Sequence, residues 1–165
     1  MTIDRVAYLN EFARDRHPGI IGIEVLTCEP ELVTGRLDVR HELVAGTGFL
    51  WAPVIITLAD WLCACGMGPN LPEGASFTTI ELKANFVGTV GEGGSIIGRA
   101  RPVHRGRTTQ VWDVDVANKA NGKIIALFRC TQMVLLPAED LSAAPGSSRI
   151  IGFPQRLGAI YRGRS

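Results

Sequence analysis

The chain has 165 residues, of which 46% are hydrophobic and 20% charged. That length fits one domain with its own core, the apolar share excludes a disordered tail, and the modest charge excludes a coiled coil. Lys plus Arg number 17 and Asp plus Glu 16, a net charge of +1, so no general electrostatic pull toward nucleic acid or anionic membrane is expected.

Residues 3–16 place Ile3, Val6, Ala7, Leu9, Phe12 and Ala13 at helical spacing, with Thr2 as the N-cap. His17-Pro18-Gly19 is expected to stop this helix. Residues 20–40 read as two strands broken at Glu29-Pro30-Glu31, and 41–51 as a loop holding Gly46 and Gly48. A long helix is expected over 52–67, with Pro53 in its first turn, where the missing N–H would be unpaired anyway. Alternation then predicts strands over 78–87, 95–104, 108–117 and 123–136. In the third of these, Gln110, Trp112, Val114 and Val116 share one face. Asn121-Gly122 signals a tight hairpin. A run of antiparallel strands with one long helix predicts an α+β fold.

The domain is expected over 1–136, with a C-terminal extension over 137–165. Residues 137–149 are rich in Ala, Pro, Ser and Gly, while Ile150, Ile151, Phe153, Leu157, Ile160 and Tyr161 bring apolar character back. The extension reads as a segment packed on a surface or partner subunit, or as a frayed terminus. Four cysteines, Cys28, Cys63, Cys65 and Cys130, include a Cys-x-Cys but no Cys-x-x-Cys. Buried thiols in a reducing cytoplasm are the expected state, with no metal site. No signal peptide is expected, and Asp60 interrupts the longest apolar run, over 49–68, where a membrane span needs about 18 clean residues.

The helix over 52–67 is apolar on nearly every side, so it should be buried on nearly every side. Wrapping a sheet around it is the economical way to do that. Asp60 is the anomaly, the only formal charge between Glu42 and Glu73. A carboxylate in an apolar setting loses solvation and needs a partner, so it is a candidate for chemistry. A place at a subunit boundary, or a bond to a backbone group, would explain it equally well.

Residues 46–60, Gly-Thr-Gly-Phe-Leu-Trp-Ala-Pro-Val-Ile-Ile-Thr-Leu-Ala-Asp, resemble the hotdog-fold acyl-CoA thioesterases of the phenylacetate-degradation (PaaI) type. In that family a His-Gly-Gly opens the central helix and an Asp follows nine positions after the His. Here Thr57-Leu58-Ala59-Asp60 is kept, and Asp60 lies nine after Trp51. Thr79-Ile80-Glu81-Leu82, Arg105-Gly106-Arg107-Thr108, Asp113-Val114-Asp115-Val116 and Ala126-Leu127-Phe128-Arg129 continue the likeness over about 17–136.

The resemblance implies a single hotdog domain, an antiparallel sheet wrapped around one long helix. It implies an acyl-CoA thioesterase acting as a homodimer or, as a dimer of dimers, a homotetramer. Asp60 would be general base or nucleophile, the backbone N–H of Ala52 the oxyanion donor, and Thr79 a water-orienting residue from the adjacent subunit. Coenzyme A belongs to the substrate, so no separate cofactor is implied. Arg105, Gly106 and Arg107 would receive its phosphates, although a solvated turn explains them as well. Trp51 and Pro53 would line the acyl pocket.

Trp51-Ala52-Pro53 departs from His-Gly-Gly, and Ala45 stands where the family often has Asn. Trp51 lacks the acceptor of a His, and Pro53 lacks an N–H. A hotdog protein that binds acyl-CoA without turnover is therefore the alternative. A hydratase is disfavoured because His17, His41 and His104 are the only histidines and none has the required spacing to an acid. No Gly-x-Ser-x-Gly elbow is present, and Gly91-Glu92-Gly93-Gly94 should join two strands.

Overall fold

Residues 4–137 are described by a computed structural model of the chain; Thr2 and residues 138–165 of the expected extension lie outside them. Two short helices come first, α1 (Arg5–Ala13) and α2 (His17–Ile20). Strands β1 (Glu24–Glu29) and β2 (Leu32–Asp38) precede the long helix α3 (Ala52–Met67). Strands β3 (Ser76–Phe86), β4 (Ser95–Arg105), β5 (Thr109–Asn118) and β6 (Ile124–Leu135) follow. All six strands form one antiparallel sheet in the order β1-β2-β4-β5-β6-β3. The sheet curls around α3, which is the expected α+β arrangement.

Three local expectations change. The N-cap of α1 is Asp4, whose Oδ1 accepts from the N–H groups of Val6 (3.0 Å) and Ala7 (3.2 Å). His17-Pro18-Gly19 starts the one-turn helix α2, because Pro fits a helix's first turn as readily as it ends a preceding one. The β5–β6 connection is wider than a two-residue hairpin. Asn118 N–H bonds the Lys123 carbonyl (2.9 Å), Gly122 takes φ +71°, and Asn121 Oδ1 accepts from Lys123 N–H.

Registry explains how α3 is buried. Val33, Ala100, Val114 and Phe128 form one inward-facing rung across β2, β4, β5 and β6. Gly35, Gly98, Val116 and Ala126 form the next. The two glycines are what bring helix and sheet together: a Cβ on Gly35 or Gly98 would sit 2.8 or 2.7 Å from the Leu62 side chain. Leu58, Leu62, Cys63 and Cys65 are fully buried as a result. By length and composition Ala52–Asn70 could cross a membrane, but this segment is the domain's own mostly buried core helix.

The two sheet edges are treated differently. At β1, the Asn10 side chain both donates to the Val25 carbonyl (3.0 Å) and accepts from its N–H (2.8 Å), so α1 covers that edge. Phe12 of α1 also stacks on Trp61 of α3, with centroids 6.3 Å apart. At β3 nothing among the described residues covers the edge, and Ile80, Leu82, Phe86 and Val87 are exposed there. A long apolar edge strand is a template for another chain.

Gly66 tests the close packing. A Cβ there would lie 2.3 Å from the ring of the fully buried Trp112. Gly66→Ala should destabilise the domain, since overpacking of about 1–3 kcal/mol outweighs the helix-propensity gain of about 1 kcal/mol. Gly46→Ala, with nothing within 4 Å of its added Cβ, should leave the denaturation midpoint nearly unchanged. Urea titrations of the two variants check this, and equal midpoints would contradict it.

Candidate active site

Asp60 projects from the middle of α3 toward the open β3 side of the sheet. Thr79 Oγ1, on β3, donates to Asp60 Oδ1 at 3.0 Å. Cys130 Sγ, on β6, donates to the same oxygen at 3.7 Å. The partners of this half-buried carboxylate are thus side-chain donors. Asp60 and Thr79 meet within one chain; the resemblance had implied that Thr79 would act from the adjacent subunit.

The inward rungs continue beneath this contact. Trp112, Cys130 and Leu82 face one another across β5, β6 and β3, and Gln110, Gln132 and Thr79 form the next rung. Gln110 Oε1 accepts from Trp112 Nε1 at 3.3 Å. Gln132 is fully buried, and neither its Oε1 nor its Nε2 has a partner among the described residues. The inward face of β5 was legible as Gln110, Trp112, Val114 and Val116. Nothing in the local sequence around Cys130 and Gln132 marks them as part of the site. The signal for them lies in strand pairing, which places them opposite Trp112 and Gln110.

Burial disfavours the thiolate at two cysteines of α3. Burial pushes the Cys63 thiol well up, and its hydrogen bond with Cys130 adds to this. Burial does the same at Cys65. A protonated thiol attacks poorly. The Cys65 carbonyl, near the end of α3, accepts from Arg5 Nη2 (2.9 Å) and from Cys28 Sγ (3.5 Å). Among the described residues no group of three or more His, Cys, Asp or Glu could hold a metal ion.

Other candidates lie apart from Asp60 in the single chain. Trp51 caps α3 with extended backbone (ψ 132°) and makes no side-chain cap bond, and its indole is exposed. Ala52 is the first helical residue, so its N–H has no acceptor within the helix. Pro53 follows in the first turn and is exposed. Asp60 lies eight positions after Ala52 on α3, about 12 Å along the helix axis. Two contacts of ~3 Å to one carbonyl group cannot bridge that gap.

The Arg105-Gly106-Arg107 hairpin is also remote. Arg105 pairs with Gln110, on the same rung as Gln132 and Thr79, so it lies three strand spacings, about 14 Å, from Thr79. Its guanidinium bonds the Glu31 carboxylate. Gly106 has a structural reason: a Cβ there would meet His104 Nε2 at 2.5 Å and the Thr109 carbonyl at 2.9 Å. Arg107 is exposed.

An unpartnered buried amide is costly, so Gln132→Met, similar in size and apolar, should raise stability by about 1–3 kcal/mol. Equilibrium urea unfolding of the two proteins measures this. A loss of stability would show instead that the amide has a partner in solution.

Comparison with known proteins places the fold. Residues 47–125 match the family described as the thioesterase superfamily. A putative esterase from Haemophilus influenzae is 26% identical over 127 residues, covering 77% of this chain and 91% of that protein. A 1,4-dihydroxy-2-naphthoyl-CoA hydrolase from Listeria monocytogenes is 25% identical over 111 residues, covering 67% of this chain and 89% of that protein. Among solved structures, a mutant thioesterase from Pseudomonas aeruginosa superposes with a TM-score of 0.75 at 25% identity, covering 82% of this chain and 96% of the other. The sheet curled around α3 is therefore the hotdog thioesterase fold, and the segment that carries Asp60 and Thr79 matches the thioesterase superfamily.

Proposed function

We propose that the chain is an acyl-CoA thioesterase of the PaaI type, cleaving a thioester to a free acid and coenzyme A. The observation that carries this reading is the Asp60 carboxylate, set on the central helix and held by Thr79 beside an open strand edge. Relatives named as esterases and as a hydrolase of a naphthoyl-CoA support the reaction class. The PaaI assignment rests on Thr57-Leu58-Ala59-Asp60 and its spacing from Trp51.

Asp60 would act as general base on a water, or as nucleophile at the acyl carbon. The tetrahedral oxyanion needs a donor, and the free N–H of Ala52 at the positive end of α3 suits it. Since that N–H is about 12 Å along the axis from Asp60 of the same chain, the donor comes from a second copy. Two chains joined antiparallel at β3 would cover Ile80, Leu82 and Phe86 and bring each helix start toward the other chain's Asp60. The assembly is thus a homodimer, with a dimer of dimers (a homotetramer) as its extension. Trp51 and Pro53 would then line the acyl pocket. Arg105 and Arg107 would hold the coenzyme A phosphates, which requires Arg105 to release Glu31. Four buried free thiols suit a cytoplasmic protein.

A second reading is binding of acyl-CoA without turnover. Pro53 favours it, because it offers no second oxyanion donor.

A free-thiol release assay over aryl-, short- and medium-chain acyl-CoAs separates the two. Wild type should release thiol, and Asp60→Asn should lose about a hundredfold or more, the share of a positioned base. No release by wild type, with tight acyl-CoA binding by calorimetry, would move the function to the second reading.

A further inference from the structure

We propose that Cys130 is a positioning residue for Asp60: with Thr79 it occupies Oδ1, which leaves Oδ2 as the oxygen that meets water or the acyl carbon. This rests on the thioesterase reading above. Both donors reach the same oxygen, Thr79 Oγ1 at 3.0 Å and Cys130 Sγ at 3.7 Å. They come from two paired strands, Cys130 lying opposite Leu82 and Thr79 opposite Gln132. Asp60 comes from a third element, α3. Holding one oxygen from two directions fixes the plane of the carboxylate, and the second oxygen keeps its lone pairs for the reaction.

The thiol is suited to this part. Cys130 is fully buried, so no water competes for its proton. An S–H is a weak donor, which orients Oδ1 while drawing little charge from the carboxylate. Cys63, three residues beyond Asp60 on α3, is also fully buried. The Cys130 thiol and the half-buried carboxylate thus link β6 to α3.

Two arms on the full chain test this. The first is infrared spectroscopy of the S–H stretch, with the Cys130 band identified by its loss in Cys130→Ser. The band should lie below that of a free thiol in wild type and move up in Asp60→Asn, where a neutral amide accepts more weakly. The second arm is kinetic. Cys130→Ala should lower kcat about tenfold with KM changed by less than about twofold, and Cys130→Ser, which keeps a donor, should restore most of kcat. A band indifferent to Asp60→Asn overturns the proposal. So does a Cys130→Ala protein with wild-type kcat. If wild type releases no thiol from any acyl-CoA, the thioesterase reading fails; the infrared arm needs no turnover and still decides whether Cys130 holds the carboxylate.

Discussion

A helix that is apolar on nearly every side cannot lie on a surface, and the fold follows from α3 having that character. A curled sheet satisfies it. The inward rungs of β2, β4, β5 and β6 surround the helix, and α1 closes one further side through Phe12 against Trp61. The contact is close because Gly35 and Gly98 make room for Leu62, and Gly66 makes room for the Trp112 ring. Side-chain volume is conserved by exchange: small residues stand where large ones from the other layer must enter.

One charge is placed on this helix, and its surroundings are ordered by it. Asp60 points to the β3 side, where the described residues leave the wrap incomplete. It is half-buried, and it finds donors on two strands. The same open edge exposes Ile80, Leu82 and Phe86 beside it. Incomplete burial, an apolar edge and a held carboxylate thus occur in one place. That is why the proposed dimer puts the second chain and the chemistry at the same edge.

Much of the architecture was legible in the sequence, because periodicity reports burial directly. Helix 52–67 and the order of the strands needed nothing else. Asp60 stood out for its solitude among apolar residues. What was not legible depends on pairing between strands distant in sequence. Register sets Gln110 opposite Gln132 and Trp112 opposite Cys130, and no local pattern announces it. The β3 bulge between Thr79 and Glu81 likewise helps decide which side chains face α3. At the α1 start and the β5–β6 loop, neighbouring residues of similar propensity competed, and Asp4 and a wider turn won. The Arg105-Gly106-Arg107 stretch carried a charge signal whose local structural reasons, the Glu31 pair and the packing at His104, appear only in three dimensions.

The central claim is that Asp60 of one chain works with the start of α3 of another. Complementation tests it most directly. Ala52→Pro removes the N–H while suiting the first helical turn, and Asp60→Asn removes the carboxylate. Each variant alone should be nearly inactive in thiol release from an acyl-CoA. Co-refolded in equal amounts, they should recover about a quarter of wild-type activity, the statistical share of mixed dimers with one intact site. A mixture as inactive as its components, although mixed dimers form, would contradict a site shared between chains.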